Sequence, residues 1–200
     1  MRTIVFFLFI AISLGSAAQG RFQKNIALHF GAAGTNQNSK GRFSWGVGAE
    51  LGPNITKGFA LLAKPTLMSR GYKGAYKVSV LYLDVPVDLE FNWKADFLGD
   101  DINWYLALGA YGGVALAGTY KSGERKKLKF GEGLTDNRSP IDYGLHGAFG
   151  YIGQRGGKLG AQLQLGLRNV VPEALQATAQ SMKLNNFTFY FTIPITNVKK

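Results

Sequence analysis

The sequence contains no cysteine and only two histidines, His29 and His146. The first absence excludes disulfides and thiolate metal sites, and a mature chain of roughly 180 residues is large enough to do without staples. Acidic residues are scarce beside basic ones, 12 against 23, for a net charge of +11. No apolar run approaches the about 20 residues that a membrane-spanning helix requires. The longest, Ile4 to Leu14, follows Arg2 and precedes Ser16-Ala17-Ala18, the layout of a secretory signal peptide cut after Ala18. Residues 1–18 are therefore expected to be a signal peptide and residues 19–200 one domain. Any membrane role must then come from strands.

What the chain does have is glycine and aromatics: 27 Gly, 14 Phe and 9 Tyr, an all-β composition. Loss of Arg2 with the signal lowers the charge from +11 to +10. A basic exported protein is drawn to anionic surfaces, and for a protein leaving the cytoplasm these are lipid phosphates rather than nucleic acid.

The clearest pattern is Ser79 to Trp93. Leu81, Leu83, Val85, Val87, Leu89, Phe91 and Trp93 share one parity, and Tyr82, Asp84, Asp88, Glu90 and Asn92 the other. Period two is a strand, and the length satisfies the about 9 to 11 residues of a transmembrane β-strand. Pro86, on the polar parity, predicts a local bulge or bend.

The same alternation predicts seven further strands. They lie at Asn25 to Ala33, Phe43 to Leu51, Lys57 to Met68, Trp104 to Leu116, Ile141 to Tyr151, Leu159 to Arg168 and about Phe187 to Ile195. Arg70 to Lys77 reads as a basic, glycine-rich connection and Thr119 to Pro140 as the longest loop. The first, third, fifth and seventh connections are expected to be long, the second and sixth tight, and the fourth about eight residues. The expected fold is an all-β, eight-stranded antiparallel up-and-down transmembrane β-barrel, exported to the bacterial outer membrane. Trp45, Trp93 and Trp104 all have outward parity near strand ends, as aromatic girdles require.

Eight strands enclose a space that side chains just fill. The inward charges Lys64, Asp84, Asp88, Glu90 and Arg168, with Glu50, Gln162 and Gln164, are expected to form a lumen polar network. Symmetric pairing about Lys73-Gly74 would set Lys64 opposite Asp84. No cofactor motif or metal ligand set is visible. A hydrolytic triad has only His146, Asp142 and nearby loop serines to draw on, without a recognisable spacing. No catalysis is expected. The loop residues Arg125, Lys126, Lys127 and Lys129 are the candidate contact to lipopolysaccharide phosphates or an acidic envelope partner.

The signal peptide, Leu83-Asp84-Val85-Pro86-Val87, Leu108-Gly109-Ala110-Tyr111 and Asp142-Tyr143-Gly144-Leu145 together resemble the PorT-like outer-membrane β-barrel family of Bacteroidota. The resemblance runs over nearly the whole mature chain. It implies an eight-stranded outer-membrane barrel, and in a few members a role beside a secretion machinery. Such barrels commonly finish on a terminal aromatic, whereas this chain continues past Phe191 to Lys200. The rival reading is a secreted soluble barrel of lipocalin type, binding an apolar ligand with the apolar parity turned inward.

Overall fold

The computed structural model describes residues 22–37, 40–74, 76–97, 100–171 and 180–195. The expected signal segment lies outside them. The described chain forms β1 (Phe22–Thr35), β2 (Lys40–Pro53), β3 (Phe59–Ala63), β4 (Thr66–Lys73), β5 (Lys77–Phe97), β6 (Asp100–Ser122), β7 (Glu124–Lys127), β8 (Ile141–Ile152), β9 (Lys158–Gly166) and β10 (Leu184–Pro194). Every pairing between these strands is antiparallel, and β1 bonds to both β2 and β10, which closes the sheet. β3 and β4 share one position in the wall, and β7 extends from β6 beyond β8. The ring therefore has eight members.

The walls follow from the alternation. In β8, Asp142, Gly144, His146, Ala148 and Gly150 are buried while Ile141, Tyr143, Leu145, Phe149 and Tyr151 are exposed. Leu108, Leu159 and Phe189 are about 60% exposed on the outside, whereas Asp84, Asp88 and Glu90 are fully buried inside. A band of outward aliphatic and aromatic side chains around a polar interior belongs in lipid and would be an aggregation surface in water. This overturns the soluble, lipocalin-like alternative, whose apolar parity would have turned inward.

Expectations about three connections are corrected. β4 runs on to Lys73, so Arg70 is a strand residue, and only residues 74–76 link β4 to β5. β1 and β2 are likewise joined by residues 36–39, and β5 and β6 by residues 98–99. Glycine did not end these strands because the neighbouring strand still offers partners, as at Gly71, paired with Ser79 of β5. The long connections are the fifth and seventh. They lie with the first and third at one end, the loop end; the second, fourth and sixth lie at the other, the turn end.

The bulge expected at Pro86 sits elsewhere. Pro86 pairs in register with Tyr111, and the irregularity between β5 and β6 falls at Leu81/Tyr82. The missing Pro86 N–H falls on the side facing the gap between β3 and β4, where Lys64 N donates to Pro86 O at 2.8 Å.

At the loop end the fifth connection is partly regular. Gly123, at φ 83°, turns β6 into β7, a conformation that disfavours any residue with a Cβ. Leu128, Phe130 and Met182 then pack onto a buried cluster of Val78, Val80, Tyr82, Val170 and Leu184, so described residues of both long connections sit in the barrel mouth.

Candidate functional site: a charged lumen and a basic hairpin

The lumen charges are placed by register. On the inner face of β6, Gly113 stands between Asp84 of β5 and Asp142 of β8, and Gly109 stands between Asp88 and His146. A Cβ at Gly109 would come within 2.5 Å of Asp88 Oδ1. The absence of side chains at these two positions lets polar groups from β5 and β8 meet over β6.

In the lower layer Lys158 Nζ donates to Glu50 Oε1 at 2.6 Å and Glu90 Oε2 at 2.7 Å, and Asn25 Nδ2 donates to Glu50 Oε1 at 2.9 Å. Lys64 Nζ lies 2.8 Å from Asp88 Oδ2 and 3.7 Å from Glu50 Oε2. His146 places Nδ1 2.8 Å from Asp88 Oδ1 and Nε2 3.4 Å from Gln162 Oε1. Above them, Arg70 pairs with Asp84 and, at 2.7 Å, with Asp142 Oδ2, which also accepts from Tyr111 OH at 3.1 Å. Arg138 caps this layer, with Nε donating to Tyr82 OH at 3.1 Å. Burying these ions is expensive, and mutual pairing is what makes it tolerable.

Lys64, Asp84, Asp88 and Glu90 thus lie in the lumen, but the pair expected between Lys64 and Asp84 does not form. The β4–β5 ladder aligns Thr66 with Asp84, which brings Pro86 opposite Lys64 and leaves Asp84 to Arg70. Arg168 is not a lumen residue. β9 ends at Gly166, the chain bends where Leu167 N and Arg168 N donate to Tyr143 O, and Arg168 pairs with Glu132 at 2.9 Å in the loop cap. Arg70 and Lys158 were missed. Both carry an available signal, since Arg70 continues the inward parity of Lys64, Thr66 and Met68, and Lys158 that of Gly160 and Gln162.

The histidines do not converge. His29 stacks on Tyr190 with centroids 5.4 Å apart, and His146 and Asp142 serve different layers. His146 has a carboxylate on one side and the amide of Gln162 on the other, so the place a nucleophilic hydroxyl would occupy holds a non-nucleophile. Among the described residues no three His, Asp or Glu side chains gather as a metal site.

Of the tryptophans, Trp93 and Trp104 pair directly across β5 and β6 near the turn end, and Trp104 stacks on Phe149 at 5.3 Å. Trp45 lies toward the loop end and is 45% exposed.

At the loop end, Arg125, Lys126 and Lys127 lie on β7, paired with Lys121, Tyr120 and Thr119, and all are exposed, as is Lys129. Among the described residues these four form no ion pair. Arg125 Nε donates to Thr119 Oγ1 at 3.2 Å.

The sequence matches the family model described as outer membrane protein beta-barrel domain over residues 11–171. No curated protein is significantly similar in sequence. Among solved structures, Neisserial surface protein A (NspA) superposes with a TM-score of 0.52 at 10% identity, covering 86% of this chain and 96% of that one. The outer membrane enzyme PagL gives 0.51 at 14% identity, covering 86% and 99%. Ail of Yersinia pestis gives 0.46 at 9% identity, covering 86% and 97%. At such identities NspA and PagL speak for the fold alone. The family match spans most of the chain and the outward apolar wall agrees with it: this protein belongs to the outer membrane β-barrel domain family.

Proposed function

We propose that this protein is a closed, non-catalytic barrel whose work is done at its loop end, where the basic hairpin meets a polyanionic surface such as lipopolysaccharide phosphates or an acidic envelope partner. The long loops of such barrels face outward and the short turns face the periplasm, which sets the hairpin on the cell surface. The observation that carries this reading is a contrast in pairing. The buried lumen carboxylates all meet cations or His146, whereas Arg125, Lys126, Lys127 and Lys129 are exposed and without ion pairs among the described residues. The segments resembling PorT-like barrels support a finer version, in which the partner is a component of a secretion machinery.

The test is binding of lipopolysaccharide, or of a captured acidic partner, by the native protein and by a variant with all four residues changed to Gln. The native protein should bind more tightly, and its advantage should shrink as salt rises above about 0.1 M, where the Debye length falls below about 10 Å. Equal affinity and equal salt dependence would reduce the hairpin to a spacer.

A further inference from the structure

On the outer wall, beneath the β6–β7 hairpin, lies a groove of about 550 Å³. That is within the roughly 300–1,000 Å³ of ordinary ligand sites. Its outward lining is Trp45 on β2, Leu81 on β5 and Leu116 on β6 with the cations Arg125 and Lys127 of β7, and it runs under the hairpin to Leu128 and Phe130. Its origin is a bulge. Leu81 pairs with Ala117 and Tyr82 with Ala115, so Leu116 is an extra residue and the parity of β6 reverses above it. Thr119 and Lys121 therefore take the outer face, and their partners on β7, Lys127 and Arg125, take it with them. Lys126, paired with Tyr120, takes the opposite face. Tyr120 itself packs against the buried cluster in the barrel mouth, which identifies that face as the inner one.

The hairpin thus divides its cations by parity. Arg125 and Lys127 stand over the groove about 7 Å apart, two residues along one strand face. The hydrogen bond from Arg125 Nε to Thr119 Oγ1, at 3.2 Å, directs the guanidinium across it. Ser79 adds a hydroxyl to the lining, and its Oγ accepts from Arg42 Nη1 at 3.0 Å, which brings a third cation to the border.

We propose that this groove is a specific site for one phosphorylated lipid of the surrounding leaflet, its acyl chain against Trp45, Leu81 and Leu116 and its phosphate between Arg125 and Lys127. The occupant follows from position and charge. The wall below the groove faces hydrocarbon, an interfacial tryptophan marks the headgroup level, and two cations that meet no carboxylate among the described residues sit directly above. A water-soluble polyanion would use the cations but leave Trp45 and Leu116, 45% and 53% exposed, uncovered. The inference rests on the outer-membrane loop-end reading above and narrows its ligand from any polyanion to a lipid.

The experiment measures equilibrium binding to the full-length protein in a neutral detergent with three probes: bisphosphorylated lipid A, the same lipid A without phosphates, and its deacylated glycan phosphate. Lipid A should bind, and removing either phosphates or chains should weaken binding roughly tenfold or more. Arg125→Gln with Lys127→Gln should weaken lipid A binding about tenfold, and Lys126→Gln less than about twofold, because only the first pair shares the groove's face. These residues are exposed, so the variants keep the barrel intact. Deacylated glycan phosphate binding as tightly as lipid A would overturn the groove and leave the surface contact standing. So would an equal loss from Lys126→Gln. Absence of binding by every phosphorylated probe would overturn both.

Discussion

Arg70 Nη1 lies 2.7 Å from Asp142 Oδ2, a residue 72 positions away in sequence, and the same guanidinium pairs with Asp84. The bond joins β4 to β8 through the lumen, with Gly113 of β6 lying between the two carboxylates. It ties opposite stretches of wall together and holds two carboxylates that would otherwise repel.

Arg70→Met should therefore lower barrel stability by about 3 to 5 kcal/mol, because it strands two buried carboxylates. The triple variant Arg70→Met, Asp84→Asn, Asp142→Asn should recover most of that loss, since no unpaired charge remains. Urea titrations of folding into lipid vesicles measure both. A triple variant no more stable than the single one would show that shape rather than charge is decisive at this layer.

The outer wall makes a second prediction. Val87 is 48% exposed and lies on the lipid side of β5, between Ala63 and Ala110. Val87→Arg should cost about 2 to 4 kcal/mol if it meets the bilayer midplane. Leu134→Arg, at a loop position 72% exposed, should change stability by no more than about 0.5 kcal/mol. Equal losses in the same vesicle assay would mean that β5 has the opposite face to lipid.

The lumen makes a third. Lys158 bridges Glu50 and Glu90 below and Arg70 bridges Asp84 and Asp142 above, and in an eight-stranded barrel such paired side chains are expected to fill the lumen. The purified protein inserted in planar bilayers should show no unitary conductance. Reproducible steps of one amplitude would require a route past the Lys158 layer.

Arg138 anchors the long fifth connection. Its Nε donates to Tyr82 OH at 3.1 Å, and its guanidinium stands 5.6 Å from the Tyr72 ring centroid. Arg138→Ala removes charged hydrogen bonds worth about 1.5 to 3 kcal/mol, which should raise local opening of the loop roughly tenfold or more. Trypsin should then cut the lysine-rich segment faster while the unheated, folded barrel migrates in gels as the native protein does. Unchanged cleavage would assign the anchoring to the apolar contacts of Leu128 and Phe130 instead.

The face of nearly every strand residue was legible in the sequence, including Lys64, Asp84, Asp88 and Glu90 in the lumen and Trp45, Trp93 and Trp104 outside. Arg168 and Arg70 mark the limit. Both fit an inward parity, yet β9 stops at Gly166 while β4 continues through Gly71, so one arginine caps a loop and the other fills the lumen. Where a strand stops depends on whether neighbouring strands still offer hydrogen-bond partners, and those neighbours come from elsewhere in the chain.

Period-two alternation over eight segments determined a polar interior, an apolar exterior and a membrane barrel, because side-chain direction in a strand is a local property. Register belonged to the tertiary structure. A shift of two residues from symmetric pairing about Lys73-Gly74 moved Pro86 opposite Lys64 and gave Asp84 to Arg70, and one extra residue at Leu116 decided which hairpin cations face the groove. These outcomes depend on closing the ring from β1 to β10, a constraint that every strand satisfies together and no single stretch of sequence displays.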